Sequence, residues 1–160
     1  MNKKKNLTIK ETFSLAFKNH KKNNLSIAEK FYRQVLKINP SHFDSIFYLA
    51  SLSAQIKKFG TAKELFEKAI HIRPNYDIAY VNLGAVLKEL GKFKEAVNAC
   101  KKAISIQSNN SVAYSNLGAV LKELGKFKEA VDACEKAISI SPKNLGAHHN
   151  LALALQELGE

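Results

Sequence analysis

Residues 82–106 read NLGAVLKELGKFKEAVNACKKAISI, and residues 116–140 read NLGAVLKELGKFKEAVDACEKAISI. Only two positions differ: Asn98 becomes Asp132, and Lys101 becomes Glu135. The copies stand 34 residues apart. Self-similarity at a fixed period of this length marks a stack of helix–turn–helix repeats, each burying its apolar face on its neighbours.

Extending the frame in both directions predicts repeats at 9–42, 43–76, 77–110 and 111–144, with a partial repeat at 145–160. Independent positions agree with it. Leu15, Leu49, Leu83, Leu117 and Leu151 share one phase, and the next residue is small each time: Ala16, Ala50, Gly84, Gly118 and Ala152. Ala28, Ala62, Ala96 and Ala130 share another phase. A large side chain beside a small one on the first helix, facing alanine on the second, lets two antiparallel helices interlock.

The apolar residues have helical spacing. In the third repeat Tyr80, Leu83, Leu87 and Leu90 form one stripe, and Phe93, Ala96, Val97, Cys100, Ala103 and Ile104 another. Gly91 and Gly125 fall between the stripes, where positive φ closes a helix. Asn23 can serve in the first repeat. In the second, Lys57 holds that position and Gly60 lies three residues on, so this turn is the least determined. Pro40, Pro74 and Pro142 end second helices, whereas Ser108 replaces proline in the third repeat.

The predicted fold is therefore all-α: an α-solenoid, a right-handed superhelix of antiparallel helix pairs with four repeats plus one terminal helix. Residues 1–8 are expected to form a basic flexible tail, and 9–160 one solenoid domain. No apolar run approaches the roughly 20 residues a bilayer span needs. The basic start lacks the apolar segment of a secretory signal, which predicts a cytoplasmic protein.

The net charge of +11 is concentrated at the start: residues 1–42 carry ten Lys or Arg against Glu11 and Glu29. Lys3, Lys4, Lys5, Lys10, Lys18, Lys21 and Lys22 could steer an acidic partner. A solvated helix face explains them as well, and the scarcity of interleaved aromatic or Arg residues argues against nucleic acid.

No catalytic motif appears: there is no phosphate-cradling glycine loop, no G-x-S-x-G and no H-E-x-x-H. Cys100 and Cys134 occupy equivalent phases and read as buried free thiols rather than a disulfide or metal site. Adjacent His148 and His149 diverge by roughly 100° on a helix and cannot chelate one ion without distortion. The expectation is a protein that is not an enzyme and that carries no cofactor and no metal.

The phases together resemble the tetratricopeptide repeat (TPR) over residues 9–160. Tyr80 and Tyr114 supply the bulky aromatic that the family places fourth in a repeat; Ile46, Thr12 and His148 depart from it. The resemblance implies a scaffold whose concave face, lined by first helices, binds a peptide segment of a partner. Asn82, Asn116 and Asn150 match the asparagine ladder that O-linked N-acetylglucosamine transferases carry in similar arrays to hold peptide backbone. Tyr48 and Ser14 interrupt it earlier. The other reading of these asparagines is that they bridge neighbouring helices.

By family pattern Val81, Lys88, Ser115 and Lys122 line the same groove, with Phe13, Phe17 and Phe47 in the first two repeats. The Lys and Asn that chaperone-binding members use to grip a C-terminal carboxylate are absent. Two alternatives stand beside the scaffold reading. One is a substrate-recruiting arm of a larger, glycosyltransferase-like enzyme. The other is a homo-oligomer formed through the leucine-rich last helix, by Leu151, Leu153, Leu155 and Leu158.

Overall fold

The computed structural model describes residues 7–159. All regular structure among them is helical, in nine helices joined by tight turns. None of these helices is long and apolar enough to cross a membrane. Cα packing divides the chain between Arg73 and Pro74 into two compact units. Residues 1–6 of the expected basic tail lie outside the described residues.

The first unit holds α1 (Ile9–Lys21), α2 (Leu25–Ile38), α3 (Phe43–Gln55) and α4 (Phe59–Ile72). Thr8 starts it with a capping box: its hydroxyl accepts from Glu11 N, and the Glu11 carboxylate accepts from Thr8 N at 2.9 Å. The Thr8 N–H, and then the Thr8 hydroxyl donating to the same carboxylate, hold the Glu11 carboxyl below the ordinary carboxylate range. Successive helices pack on one another, and α1 also meets α3.

The second unit holds α5 (Asp77–Glu89), α6 (Phe93–Ile106), α7 (Ser111–Glu123), α8 (Phe127–Ile140) and α9 (Leu145–Leu158). Here too each helix packs on the next. The first helices of the repeats, α5, α7 and α9, also touch in turn, whereas the second helices α6 and α8 do not meet. Within this unit the first-helix side is therefore the closed, inner side, and the second-helix side splays open.

The small-residue phases explain the tight hairpins. Ala28, Ala62, Ala96 and Ala130 are fully buried, as are Ala16 and Ala50. In the second unit glycine takes the slot. A methyl group on Gly84 would stand 2.9 Å from Cys100 Sγ, and one on Gly118 would collide with Cys134 Sγ while lying 3.2 Å from the Ala130 carbonyl oxygen. Ala152, at the same phase of α9, is exposed, because no second helix covers it among the described residues.

The hairpin turns share one geometry regardless of residue. Gly91 and Gly125 have φ 71°, Asn23 has φ 60° and Lys57 has φ 59°. Lys57 N donates to Ala54 O and Lys58 N to Ser53 O, the paired bonds that close a helix C-terminus through a left-handed residue. Gly60 lies inside α4, and its conformational freedom goes unused. The second helices stop at equivalent residues, and Gln107 takes an extended φ of −133° with serine rather than proline after it. Proline reinforces that ending without being required for it.

A Lys side chain in the left-handed region carries a steric cost of about 1–2 kcal/mol that glycine avoids. Lys57→Gly is therefore expected to raise the unfolding free energy of the chain by up to about 1 kcal/mol, after allowing for glycine's greater unfolded-state entropy. Urea denaturation followed by circular dichroism reads this as a higher midpoint.

Candidate functional site

The inner face of the second unit is built from α5, α7 and α9, and the recurrent asparagines sit on it half-buried. Asn116 Nδ2 donates to Val81 O, and Asn150 Nδ2 donates to Ser115 O, both at 3.4 Å. Each carboxamide thus reaches one repeat back to the preceding first helix. At 3.4 Å these are long, weak bonds. They engage one N–H each, leaving the second N–H and the carbonyl oxygen without a partner among the described residues. Asn82 makes no side-chain hydrogen bond within the unit.

Val81 and Ser115 are each only 6% exposed. Their carbonyl oxygens accept from the asparagines, while their side chains are buried, Val81 among Ala103 of α6 and Ala113 of α7. Lys88 and Lys122 lie at the edge, half-buried, each paired with the next residue: Lys88 with Glu89 at 3.1 Å and Lys122 with Glu123 at 3.0 Å. Such exposed pairs contribute little to stability, so both ammonium groups are available to exchange partners.

In the first unit rings fill several of the equivalent positions, although Ser14 holds the asparagine phase of the first repeat. Tyr48 occupies the asparagine phase and stacks on Tyr32, with centroids 6.3 Å apart at 11°. Phe17 tilts against Tyr48 at 4.9 Å, and Phe13 packs on Phe17, Tyr32 and Tyr48. Phe13 and Phe17 remain half-buried, whereas Phe47 is 6% exposed and packs edge-on against Phe66. Phe47 is therefore core, held between α3 and α4, rather than a surface contact. Burial, then the neighbouring Tyr48, pushes the Tyr32 hydroxyl well above the ordinary tyrosine range. That hydroxyl shares a hydrogen bond with His20 Nδ1 at 3.2 Å, and His20 Nε2 lies 3.3 Å from Gln55 Oε1.

A second set of polar contacts joins repeats at the helix starts. Asn110 Oδ1 accepts from Ala113 N while its Nδ2 donates to Asp77 Oδ2 at 2.8 Å. Asn144 caps α9 in the same way and donates to Ser111 Oγ at 2.7 Å. Each side chain both caps its own helix and bridges to the start of the preceding first helix. The signal was asparagine immediately before an apolar-periodic run, repeated at 34 residues.

Burial leaves the two cysteines inert. Both are free and buried. Desolvation pushes the Cys100 thiol up to about 12 and the Cys134 thiol up to about 11, so the nucleophilic thiolate is scarce near neutral pH. His148 Nε2 lies 2.9 Å from the Pro142 carbonyl oxygen. Among the described residues no group of three His, Cys, Asp or Glu side chains could hold a metal ion.

On the last helix, which packs on α7 and α8, Leu151, Leu153, Leu155 and Leu158 are half-buried, while Leu145 is 81% exposed.

Comparison with known proteins agrees with this geometry. Residues 78–110 and 111–144 match one family model, and residues 19–42 and 44–76 match another; both are described as "Tetratricopeptide repeat", and together they cover more than half of the chain. No curated protein matches the chain. The chain is similar to the crystal structure of MamA protein at 26% identity and TM-score 0.86, over 94% of this chain and 82% of that one. It is also similar to YrrB, described as "a TPR protein with an unusual peptide-binding site", at 21% identity and TM-score 0.80, over 95% of this chain and 78% of that one. In the APC/C hetero-tetramer Cut9-Hcn1 the match is 16% identical with TM-score 0.85, over 93% of this chain and 30% of that one. The last two likenesses concern the fold.

Proposed function

The chain belongs to the tetratricopeptide-repeat family, and we propose that it is a non-catalytic protein-interaction scaffold whose inner face takes up an extended peptide segment of a partner. The observation that carries this reading is the unspent capacity of Asn82, Asn116 and Asn150. A carboxamide offers two donors and one acceptor. Asn116 and Asn150 each commit one donor to a long bond, so each can still accept from an N–H and donate to a C=O of a guest backbone.

Such recognition is indifferent to guest side chains and gains from a surface already in place. Lys88 and Lys122 add charge at the edge, and Phe13 and Phe17 give the first unit a part-exposed ring surface for an apolar side chain. The similarity to the asparagine ladder of O-linked N-acetylglucosamine transferase arrays, and the peptide-binding site ascribed to YrrB, support the same class of ligand.

The test is a peptide-array screen for a binding sequence, followed by its titration against the chain and against the triple variant Asn82→Ala/Asn116→Ala/Asn150→Ala. With roughly 1 kcal/mol per hydrogen bond lost, the expected weakening is about 2–4 kcal/mol, with thermal stability nearly unchanged because the native bonds are long. Equal affinity for both proteins would remove the ladder from the mechanism.

A second reading is favoured by the exposure of Leu145 and the part-exposure of Leu151, Leu153, Leu155 and Leu158: self-association through α9. It predicts a molar mass by light scattering that rises with concentration and returns to the monomer value in Leu145→Lys/Leu153→Lys; a monomer at all concentrations contradicts it.

A further inference from the structure

We propose that the outer side of the second unit carries a separate docking site, a cleft between α6 and the α7–α8 turn that accepts an acidic segment of a partner protein inserting one apolar side chain. The cleft has a volume of about 450 Å³, within the range that holds a ligand or a side chain with its flanking backbone. It opens where the second helices splay apart. Val97, Leu121 and Leu124 make its apolar floor.

The rim is cationic. Lys94 and Lys101 stand on α6 and form no ion pair among the described residues, while Lys126 across the cleft is engaged by Glu129 at 2.8 Å. Two unopposed ammonium groups over an apolar floor suit a carboxylate-bearing segment with an apolar anchor. The cleft offers no aromatic ring on which a base could stack, which separates this chemistry from nucleic acid.

The sister repeat supplies an internal control. Over 25 residues the two copies differ only at Asn98/Asp132 and Lys101/Glu135. Asn98 and Lys101 lie one turn apart on α6, and both line the cleft. All four side chains are exposed, so helix packing requires neither difference. Both changes act in the same direction, making the α6 edge more positive than the α8 edge by three charges. A packing-neutral difference confined to one cleft and concordant in sign concerns what the cleft meets. None of the inner asparagines lines this cleft, and its role does not depend on theirs.

The variant Asn98→Asp/Lys101→Glu gives α6 the sequence that α8 already carries, which keeps the helix foldable by construction. The probe is a fluorescein-labelled peptide of glutamates around a single leucine, titrated against the full chain by fluorescence anisotropy. Controls replace the leucine with serine or the glutamates with lysine. The expected result is saturable binding that weakens with added salt and with the serine control. In the variant it weakens by about tenfold, because three charges on the cleft edge are changed at an exposed, salt-screened site. Leu121 and Leu124 methyl resonances should shift on binding. The proposal is overturned by equal affinity for variant and parent, by absence of binding to the glutamate peptide, or by preference for the lysine peptide. A chain whose self-association, rather than peptide binding, disappears in the variant would assign the cleft to a second copy and overturn it as well.

Discussion

Everything in each unit follows from how closely the two helices of a repeat can approach. The limit is set by one small residue on the first helix against a small or shaped residue on the second. In the third and fourth repeats, the places where Gly84 and Gly118 lack a side chain are taken up by Cys100 and Cys134 sulfur, and the facing Ala96 and Ala130 are fully buried. An interior at this density transmits position rather than absorbing it. Asn144, by bonding to Ser111 Oγ at 2.7 Å, then fixes the start of α9 against the start of α7. A scaffold so defined presents its surface groups without a large ordering cost on binding.

Two surface features come from the same packing. On the inner side the first helices touch, and their asparagines are drawn half under cover, where a carboxamide is oriented yet not saturated. On the outer side the second helices stay apart and leave a cleft floored by Leu121 and Leu124. The first unit treats the asparagine phase differently. Tyr48 stacks there on Tyr32 and against Phe17, exchanging hydrogen-bonding capacity for ring packing. The inner faces of the two units therefore differ in chemistry although their helices share one phase.

Much of this was legible in the sequence because the period is redundant: the leucine, small-residue and alanine phases each locate the same hairpins. Gly91 and Gly125 announced their turns. Lys57 did not, since its side chain has no preference for positive φ and the surrounding Ser53 and Ala54 carbonyls impose it. The inter-repeat roles of Asn110 and Asn144 depend on where Asp77 and Ser111 lie in space, which no local pattern states. Burial of Val81, Ser115 and Phe47 was hidden for a related reason: family position places them on the first helix but does not show how far the neighbouring helix covers them. Asn98 and Lys101 were visible as differences between copies, yet only the placement of α6 against Leu121 and Leu124 shows that both border one cleft.

The most direct test of this account is a double-mutant cycle on Gly118 and Cys134, measured by urea denaturation. Gly118→Ala alone is expected to destabilise the chain by about 1–3 kcal/mol despite alanine's better helix propensity, because the added methyl collides with the sulfur. In a Cys134→Ala background the same change should cost little or become favourable, a coupling of about 1 kcal/mol or more. Additive effects, or a stabilising Gly118→Ala in the parent chain, would contradict the claim that this close approach holds the hairpins together.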